Sequence, residues 1–425
     1  MIYESERECM GRDTLAALQL EALQAVLARA YLHVPFYRKR FDSERIDPAE
    51  VRTIADLGRL PFTTREDLQA NYPYGLFAVP LREVVRIHAS TCMSVVVGYT
   101  RNDIKTWSAL MARVLVAGGV SKDDVVQIAL GYNLSTGGFG VHYGAECIGA
   151  SVIPTSTGNT RRQLKIMRDF KTTALVATPS YAALLARTLR EQGTPLGNLS
   201  LRVALLGGEP LTDSLHAEIQ EGLGVVATDN YGLSEVMGPG VAGECQERNG
   251  LHISEDHFLV EIVDPASLAP VAEGETGELV ITTLSKEAFP VIRFRTRDLT
   301  RLLPGPCACG RTTRRMARVE RRSDAILIVR GVKVDPRRVD ELFAEVEGHV
   351  QPHQILVEKS RGMDSLSLLV GVEDSSGFDE VKMQQERLER LRRNFSSELG
   401  LTVAVRLVER QSLDAGQRVE DRRKP

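Results

Sequence analysis

The sequence predicts a two-domain α/β protein, in which a large layered α/β domain with a β subdomain precedes a small α+β domain. Three observations predict it. Between 111 and 230, short runs rich in β-branched residues alternate with helical stretches, the pattern of βαβ units around a parallel sheet. Near residue 258 the rhythm changes to β-type segments alone. Past Arg322 the order becomes strand, helix, two strands, helix, strand, enough for a self-contained unit of about 100 residues.

Residues 13–31 put Leu15, Leu18, Ala22, Leu23, Val26, Leu27 and Ala30 at helical spacing, which makes an amphipathic helix; Pro35 closes it. Core strands are expected at 125–130, 151–154, 174–177 and 202–206. In a parallel sheet, ligands gather at the carboxyl ends of the strands, and Tyr132, Pro179 and Gly207 follow those ends. The β-type segments are 258–263, 278–283 and 291–294. The last unit reads as strand 326–329, helix 336–346, strands 355–358 and 366–372, helix 379–398 and strand 403–407. The expected division is 1–322 (β subdomain about 245–322) and 323–425, with a hinge at Arg322-Ser323-Asp324.

Of the 425 residues, 43% are hydrophobic and 26% charged, the composition of an ordinary globular protein. A net charge of −3 offers no basic footprint, so nucleic acid is not an expected partner. No apolar run approaches the roughly 18 residues of a membrane span. The acidic start Met1-Ile2-Tyr3-Glu4-Ser5-Glu6 is not a secretory signal, and the expected location is the cytoplasm. Six cysteines in a chain of this size do not make a disulfide framework. Cys9, Cys92 and Cys147 read as small apolar residues.

Cys245, His252, Cys307 and Cys309 are different. Cys-x₆-His followed by Cys-x-Cys-Gly-Arg offers three thiolates and an imidazole, a tetrahedral zinc set. With all four positions filled by protein, the expected role is structural. His257 is the substitute ligand, and burial of His252 in the β subdomain is the alternative reading.

Six further stretches stand in a fixed order along the chain: Ile87 to Trp107, Tyr132 to Glu146, Tyr231-Gly232-Leu233-Ser234-Glu235, Glu255-Asp256-His257-Phe258, Arg295-Thr296-Arg297-Asp298 and Arg322-Ser323-Asp324. In these motifs the chain resembles the phenylacetate-CoA ligase family of adenylate-forming enzymes. Several long motifs in order are far more specific than one Gly-rich match. The resemblance implies that the C-terminal α+β unit is a mobile lid domain. It also implies that ATP or AMP, and with ATP a Mg²⁺ ion, are bound. Gly208, Glu209, Pro210 and Tyr231 flank the adenine, Ser234 and Glu235 serve phosphate and Mg²⁺, and Asp298 takes the ribose hydroxyls. In the lid, the strand that contains Lys333 faces the acceptor. Tyr132 lies along the acyl group, suited to stack on an aryl ring, and Ser135, Gly138, Pro239 and Gly240 line the rest. Ser135 stands where the family usually has an aromatic residue, which implies a larger or more polar acid than phenylacetate.

Two parts depart from the family pattern. The phosphate loop there offers several Gly N–H groups and a Lys, a nest for pyrophosphate oxygens. Here Ser90-Thr91-Cys92-Met93-Ser94 has neither Gly nor Lys and is about two residues short. The catalytic Lys expected shortly before Arg418-Val419-Glu420-Asp421 is replaced by Ala415, and no Lys lies between Lys382 and Lys424. Loss of one charge-stabilising donor costs about 10²–10³ in rate. Both losses fall on adenylation, while the lid strand stays recognisable. The expectation is an enzyme that binds an adenosine ligand and an aryl or similar acyl group, and transfers that group to CoA, a carrier-protein thiol or an amine, with adenylation impaired or altered. Lys105, Lys165, Arg101 and Arg161 are candidate replacement cations. An ordinary ATP-dependent aryl-CoA ligase and a non-catalytic partner subunit are the alternatives; the oligomeric state is open, a homodimer included.

Overall fold

Val125–Ile128, Ala174–Ala177 and Val203–Gly207 are short apolar strands closed off on both faces, as strands of a parallel sheet must be. Side chains alternate across a strand. Accordingly Val126, Ile128, Val176, Val203 and Leu205 enter one hydrophobic core, while Leu175, Ala177, Ala204 and Leu206 enter a second. In the computed structural model, residues 1–90, 95–319, 321–360, 363–372, 378–413 and 418–423 are described. Thr91 to Ser94 of the altered phosphate loop and Ala415 lie outside them. The chain forms two units, Met1–Ser323 and Asp324–Pro425.

The first unit is built on a nine-stranded mixed sheet. Ser151–Ile153, Val125–Ile128, Ala174–Ala177, Val203–Gly207 and Val226–Leu233 run parallel, side by side. The helices Gly137–Ile148, Thr160–Asp169, Pro179–Glu191 and Asp213–Leu223 connect them in sequence. Gly238–Glu244 then turns back antiparallel, followed across the sheet by Leu251–Ile253, Arg315–Met316 and Leu302–Leu303. A separate antiparallel sheet joins Phe258–Val263, Gly277–Thr283, Phe294–Thr300 and Arg321–Arg322. The amphipathic stretch near the start is the helix Arg12–His33, and Pro35 opens a second helix, Pro35–Glu44, at the first helical position where proline is tolerated.

The second unit packs the helices Pro336–Glu347 and Phe378–Leu399 on a four-stranded sheet ordered Val403–Glu409, Met363–Val372, His353–Ser360, Val419–Asp421. Phe343 and Phe395 meet between the helices at 4.7 Å. A hairpin of Leu327–Val329 and Val332–Val334 precedes them. Its two turn residues, Arg330 and Gly331, both have positive φ (52° and 76°), the conformation that suits a two-residue hairpin.

One junction in the first unit fixes the helix Arg101–Ala117. Thr100 caps it through a capping box with Asp103. The wholly buried Asp103 carboxylate also accepts the backbone N–H of Glu287 (2.7 Å) and Ala288 (3.0 Å). The neighbouring Lys286 is drawn inside. Its ammonium lies 3.1 Å from the centre of the Tyr99 ring and 3.7 Å from Met237 Sδ. Burial pushes the Lys286 pKa down from 10.5 to about 7, opposed by the charge of Asp103. Below about 7 both folded and unfolded chains carry the proton, so the folded state bears the full cost of a buried ammonium. Between about 7 and 10.5 only the unfolded chain keeps it, and stability gained from this group rises with pH. Lys286→Met is therefore expected to raise the melting temperature most at pH 7 and below, with the advantage over wild type shrinking as pH climbs to 10.5. Melting curves across that range check it; a constant gap would contradict the burial of the charge.

Candidate active site and metal centre

The loop after Val125–Ile128 carries the acyl-side candidates. Tyr132 is half-buried, its ring edge-on to Phe139 at 5.3 Å and to His142 at 5.7 Å. Its hydroxyl lies 3.2 Å from His142 Nδ1, and His142 Nε2 lies 3.2 Å from Glu146 Oε1. Asn133 folds the loop by accepting the Ser135 N–H at 3.0 Å. Leu134 O accepts from Ala89 N (3.0 Å) and His88 Nδ1 (2.9 Å), which fastens the loop to the strand Arg86–Ala89 that leads into the phosphate loop. A Cβ on Gly138 would stand 2.5 Å from Gly131 O, so the helix Gly137–Ile148 starts flush against this loop. Pro239 O accepts from Trp107 Nε1 at 2.8 Å, and Gly240 N–H donates to Asn230 Oδ1 at 3.2 Å.

The nucleotide-side candidates sit at the ends of the next parallel strands. Gly207 approaches Asn230 O so closely that a Cβ would lie 2.6 Å from it, and Gly208 follows at φ +81°. Pro210 comes just after. The Glu209 carboxylate accepts from Ser180 N and Oγ, each at 2.9 Å, at the start of the helix Pro179–Glu191. Tyr231 donates its hydroxyl to Asp298 Oδ2 at 2.7 Å, and Arg322 pairs with Asp298 Oδ1. Burial, then the Asp298 charge, hold the Tyr231 phenol well above its usual pKa. Ser234 Oγ lies 2.9 Å from Thr136 Oγ1, joining this turn to the acyl-side loop, and Glu235 beside it is buried.

The salt bridge at Asp298 comes from Arg322; the adjacent Arg295 and Arg297 both turn to Glu278, at 2.8 and 3.6 Å. Two partners leave lone pairs to spare on a carboxylate, so vicinal hydroxyls can still be accepted. Of the candidate replacement cations, Lys165 is exposed and paired with Asp169. Arg101, Lys105 and Arg161 are exposed near the starts of their helices. Lys333 is in the hairpin strand Val332–Val334 of the second unit, half-buried.

Cys245, His252, Cys307 and Cys309 converge, with all four ligand atoms within 4.8 Å of one another. Cys245 and Cys307 sulfurs are 3.7 Å apart, and Cys309 Sγ is 3.4 Å from His252 Nε2. Two sulfurs each about 2.3 Å from a tetrahedral ion lie about 3.8 Å apart, so the spacing fits zinc. His252 Nδ1 faces Thr313 Oγ1 at 3.1 Å. A hydroxyl accepting Nδ1–H directs the Nε2 lone pair at the metal position. His257 is elsewhere, bonded to Ser285 Oγ at 2.7 Å.

Sequence reasoning did not single out His142, Glu146, Thr136 or Lys286. The His142–Glu146 spacing of four on a helix is a legible signal. Nothing in Ser285-Lys286-Glu287 marks a buried ammonium.

Comparison with known proteins agrees with this geometry. Residues 104–285 match the AMP-binding enzyme family and residues 331–423 the AMP-binding enzyme C-terminal domain. The phenylacetate-coenzyme A ligase of Escherichia coli (strain K12) is 47% identical over 407 residues, covering 94% of this chain and 92% of that protein. The enzyme of the same name from Thermus thermophilus is 44% identical over 426 residues, covering 96% and 95%. A crystal structure of 2-hydroxyisobutyryl-CoA ligase in complex with 2-HIB-AMP and CoA matches with a TM-score of 0.90 at 26% identity, over 99% of this chain and 92% of that one. Motif order, strand-end placement and this level of identity agree: the chain is an enzyme that belongs to the phenylacetate-coenzyme A ligase family and has its adenylate-forming fold.

Proposed function

We propose that this enzyme is an aryl-CoA ligase that passes its acyl group through a bound acyl-adenylate, and that its thioester-forming step outruns its adenylation step. The observation that carries the reading is the Thr136–Ser234 contact of 2.9 Å, which joins the loop of Tyr132 to the turn that holds Tyr231. An acyl group and a nucleotide at these two loops would meet at a shared phosphate. The names of the relatives support CoA as acceptor.

In the first half-reaction an acid carboxylate attacks the α-phosphorus of ATP, and pyrophosphate leaves. In the second, the CoA sulfur attacks the acyl carbon, AMP leaves, and the thiol proton goes to solvent. Gly208, Glu209, Pro210 and Tyr231 border the adenine, and Asp298 accepts from the ribose hydroxyls. Ser234 serves the phosphate. Glu235 is the carboxylate for Mg²⁺, which would offset phosphate charge. Tyr132, Ser135, Gly138, Pro239 and Gly240 enclose the acyl group, and Lys333 belongs to the acceptor side.

The split between the steps rests on sequence: Ser90 to Ser94 has neither Gly nor Lys, and no Lys lies between Lys382 and Lys424. These groups stabilise charge only while pyrophosphate is leaving. Their joint loss costs roughly 10⁴–10⁶ in rate, less where they act as one unit. ATP–pyrophosphate exchange is expected to be very slow across a panel of aryl acids, while supplied aryl-adenylate is converted to aryl-CoA. Brisk exchange would hand the case to an ordinary ATP-dependent ligase.

Asp298→Asn keeps the shape beside Arg322 and Tyr231 but removes the charge. It is expected to weaken AMP binding about tenfold, the scale of hydrogen bonds to a charged group. Calorimetry giving equal affinities would remove Asp298 from the ribose site.

We also propose structural zinc at Cys245, His252, Cys307 and Cys309. The purified protein is expected to carry one equivalent of zinc. Cys307→Ser should lose it together with several degrees of melting temperature, because a structural metal adds folding energy. Metal analysis showing none, with unchanged melting, would reject the site.

A further inference from the structure

Beside the acyl-side loop runs a hydrogen-bond chain that none of the assigned roles uses. Tyr132 Oη, His142 Nδ1, His142 Nε2 and Glu146 Oε1 follow one another at 3.2 Å per contact. The His142 and Tyr132 rings stand edge-on, at 89°. His142 and Glu146 are four residues apart on the helix Gly137–Ile148 and so lie one above the other on one face. Phe139 and Tyr143 stack at 15° on the same helix, and Arg86 covers both rings at 5.3 and 4.5 Å. The wall behind Tyr132 is therefore held by packing, and its hydroxyl has a set direction.

The proton positions follow from the chemistry of the groups. Burial, then the Glu146 charge, raise the Tyr132 pKa, so the phenol keeps its proton and must place it. Glu146 can only accept when ionised. A neutral His142 therefore turns Nε2–H toward Glu146, since the opposite tautomer would aim a lone pair at a carboxylate. Nδ1 is then an acceptor, and Tyr132 donates to it. The Tyr132 oxygen keeps lone pairs and has no proton left for anything else.

We propose that His142, held by Glu146, is a positioning residue that turns Tyr132 into a hydrogen-bond acceptor for the acyl group, and so selects aryl acids bearing a ring hydroxyl. The inference rests on the proposed role of Tyr132 as a wall of the acyl pocket. A ring hydroxyl donates to the Tyr132 oxygen. A ring methoxyl brings only a lone pair, against a phenol whose proton is already committed, and leaves a polar contact unmade.

The test measures binding, so it does not depend on either half-reaction. The probes are 4-hydroxyphenylacetyl and 4-methoxyphenylacetyl sulfamoyl-adenosine, non-reactive mimics of an aryl-adenylate, titrated against the full chain by calorimetry, with AMP as control. Wild type is expected to favour the hydroxyl probe about tenfold, the worth of one buried hydrogen bond. His142→Leu frees the phenol proton to donate to the methoxyl oxygen, and the ratio should fall most of the way to unity. Tyr132→Phe should erase the preference, with His142→Leu adding nothing on top of it, and AMP affinity should not change. Glu146→Ala releases the imidazole tautomer from the exposed end of the chain and should lower the ratio too. It serves as the independent variant should His142→Leu melt early.

A preference erased by Tyr132→Phe but untouched by both His142→Leu and Glu146→Ala overturns the relay while leaving the acyl pocket standing. A ratio that is unity in wild type, or that none of the three variants moves while AMP still binds, overturns the relay and the placement of Tyr132 together.

Discussion

Asp103 lies wholly buried in the first turn of the helix Arg101–Ala117 and accepts the backbone N–H groups of Thr100, Glu287 and Ala288. The helix start and the loop between two strands of the smaller sheet are thus held by one carboxylate. The helix in turn positions the elements that carry the acyl-side candidates. A Cβ on Gly140 would stand 2.5 Å from Trp107, on Gly144 2.4 Å from Met111, on Gly238 2.5 Å from Trp107 and on Gly243 2.7 Å from Val114. The helix after the Tyr132 loop and the strand of Pro239 and Gly240 both reach it through glycine faces. Close backbone approach of this kind leaves no slack, so a shift of the helix is a shift of both elements. Lys286 belongs to the same junction: it precedes Glu287 and Ala288, which Asp103 holds, and its side chain is buried beside Tyr99.

Local pattern carried the core of the fold into view. The parallel strands alternate between two cores, and their carboxyl ends carry the residues expected there. Pairing between distant segments was less legible. The stretch 245–322 reads as one β region, yet Leu251–Ile253, Leu302–Leu303 and Arg315–Met316 extend the large sheet while Phe258–Val263 and Gly277–Thr283 build another. The strand expected at 291–294 begins only at Phe294. Arg293 adopts φ 48° and sends its guanidinium to Glu261 and the carbonyls of Gly58 and Leu60. Within the site, residue types and motif order pointed to Tyr231 and Asp298, but their direct contact and the arrival of Arg322 depend on strand register. The His142–Glu146 pair is visible as a helix spacing, whereas its link to Tyr132 is a product of how the loop folds back.

The candidate metal turn shows how residues far apart in sequence can converge without an ion to gather them. Cys307 and Cys309 lie some 55 residues beyond His252 in sequence, a separation that no local motif closes. Arg315 gathers the carbonyls of Asn249, Pro304, Gly305 and Pro306, and pairs in register with His252 through its strand. Arg311, just past Cys309, pairs with Glu8 and donates to Met1 O, while Thr312 donates to Met10 O. The buried guanidinium groups and the N-terminal segment hold the turn, so a metal would have less chain ordering to drive. A zinc finger with no such support folds only on binding; an ion bound here would reinforce a turn already tied at both ends.

Charge is distributed unevenly over the proposed nucleotide path. Asp298 is balanced by Arg322 and bonded by Tyr231, so ribose hydroxyls would add neutral donors to a carboxylate whose charge is already met at close range. Recognition at that end then comes from shape and hydrogen-bond direction. Of the candidate replacement cations, Lys165 is paired with Asp169 on the surface, and the stretch Ser90 to Ser94 contains no Lys or Arg. Binding an adenosine monophosphate and holding a departing pyrophosphate are different demands: the first is met by pre-placed hydrogen-bond partners, the second by several positive groups acting together on developing charge. A site can retain the first after losing the second, because the two demands fall on different kinds of group. On the proposed assignment, the partners of the nucleoside and the loop that would enclose an acyl group are the parts common to both half-reactions.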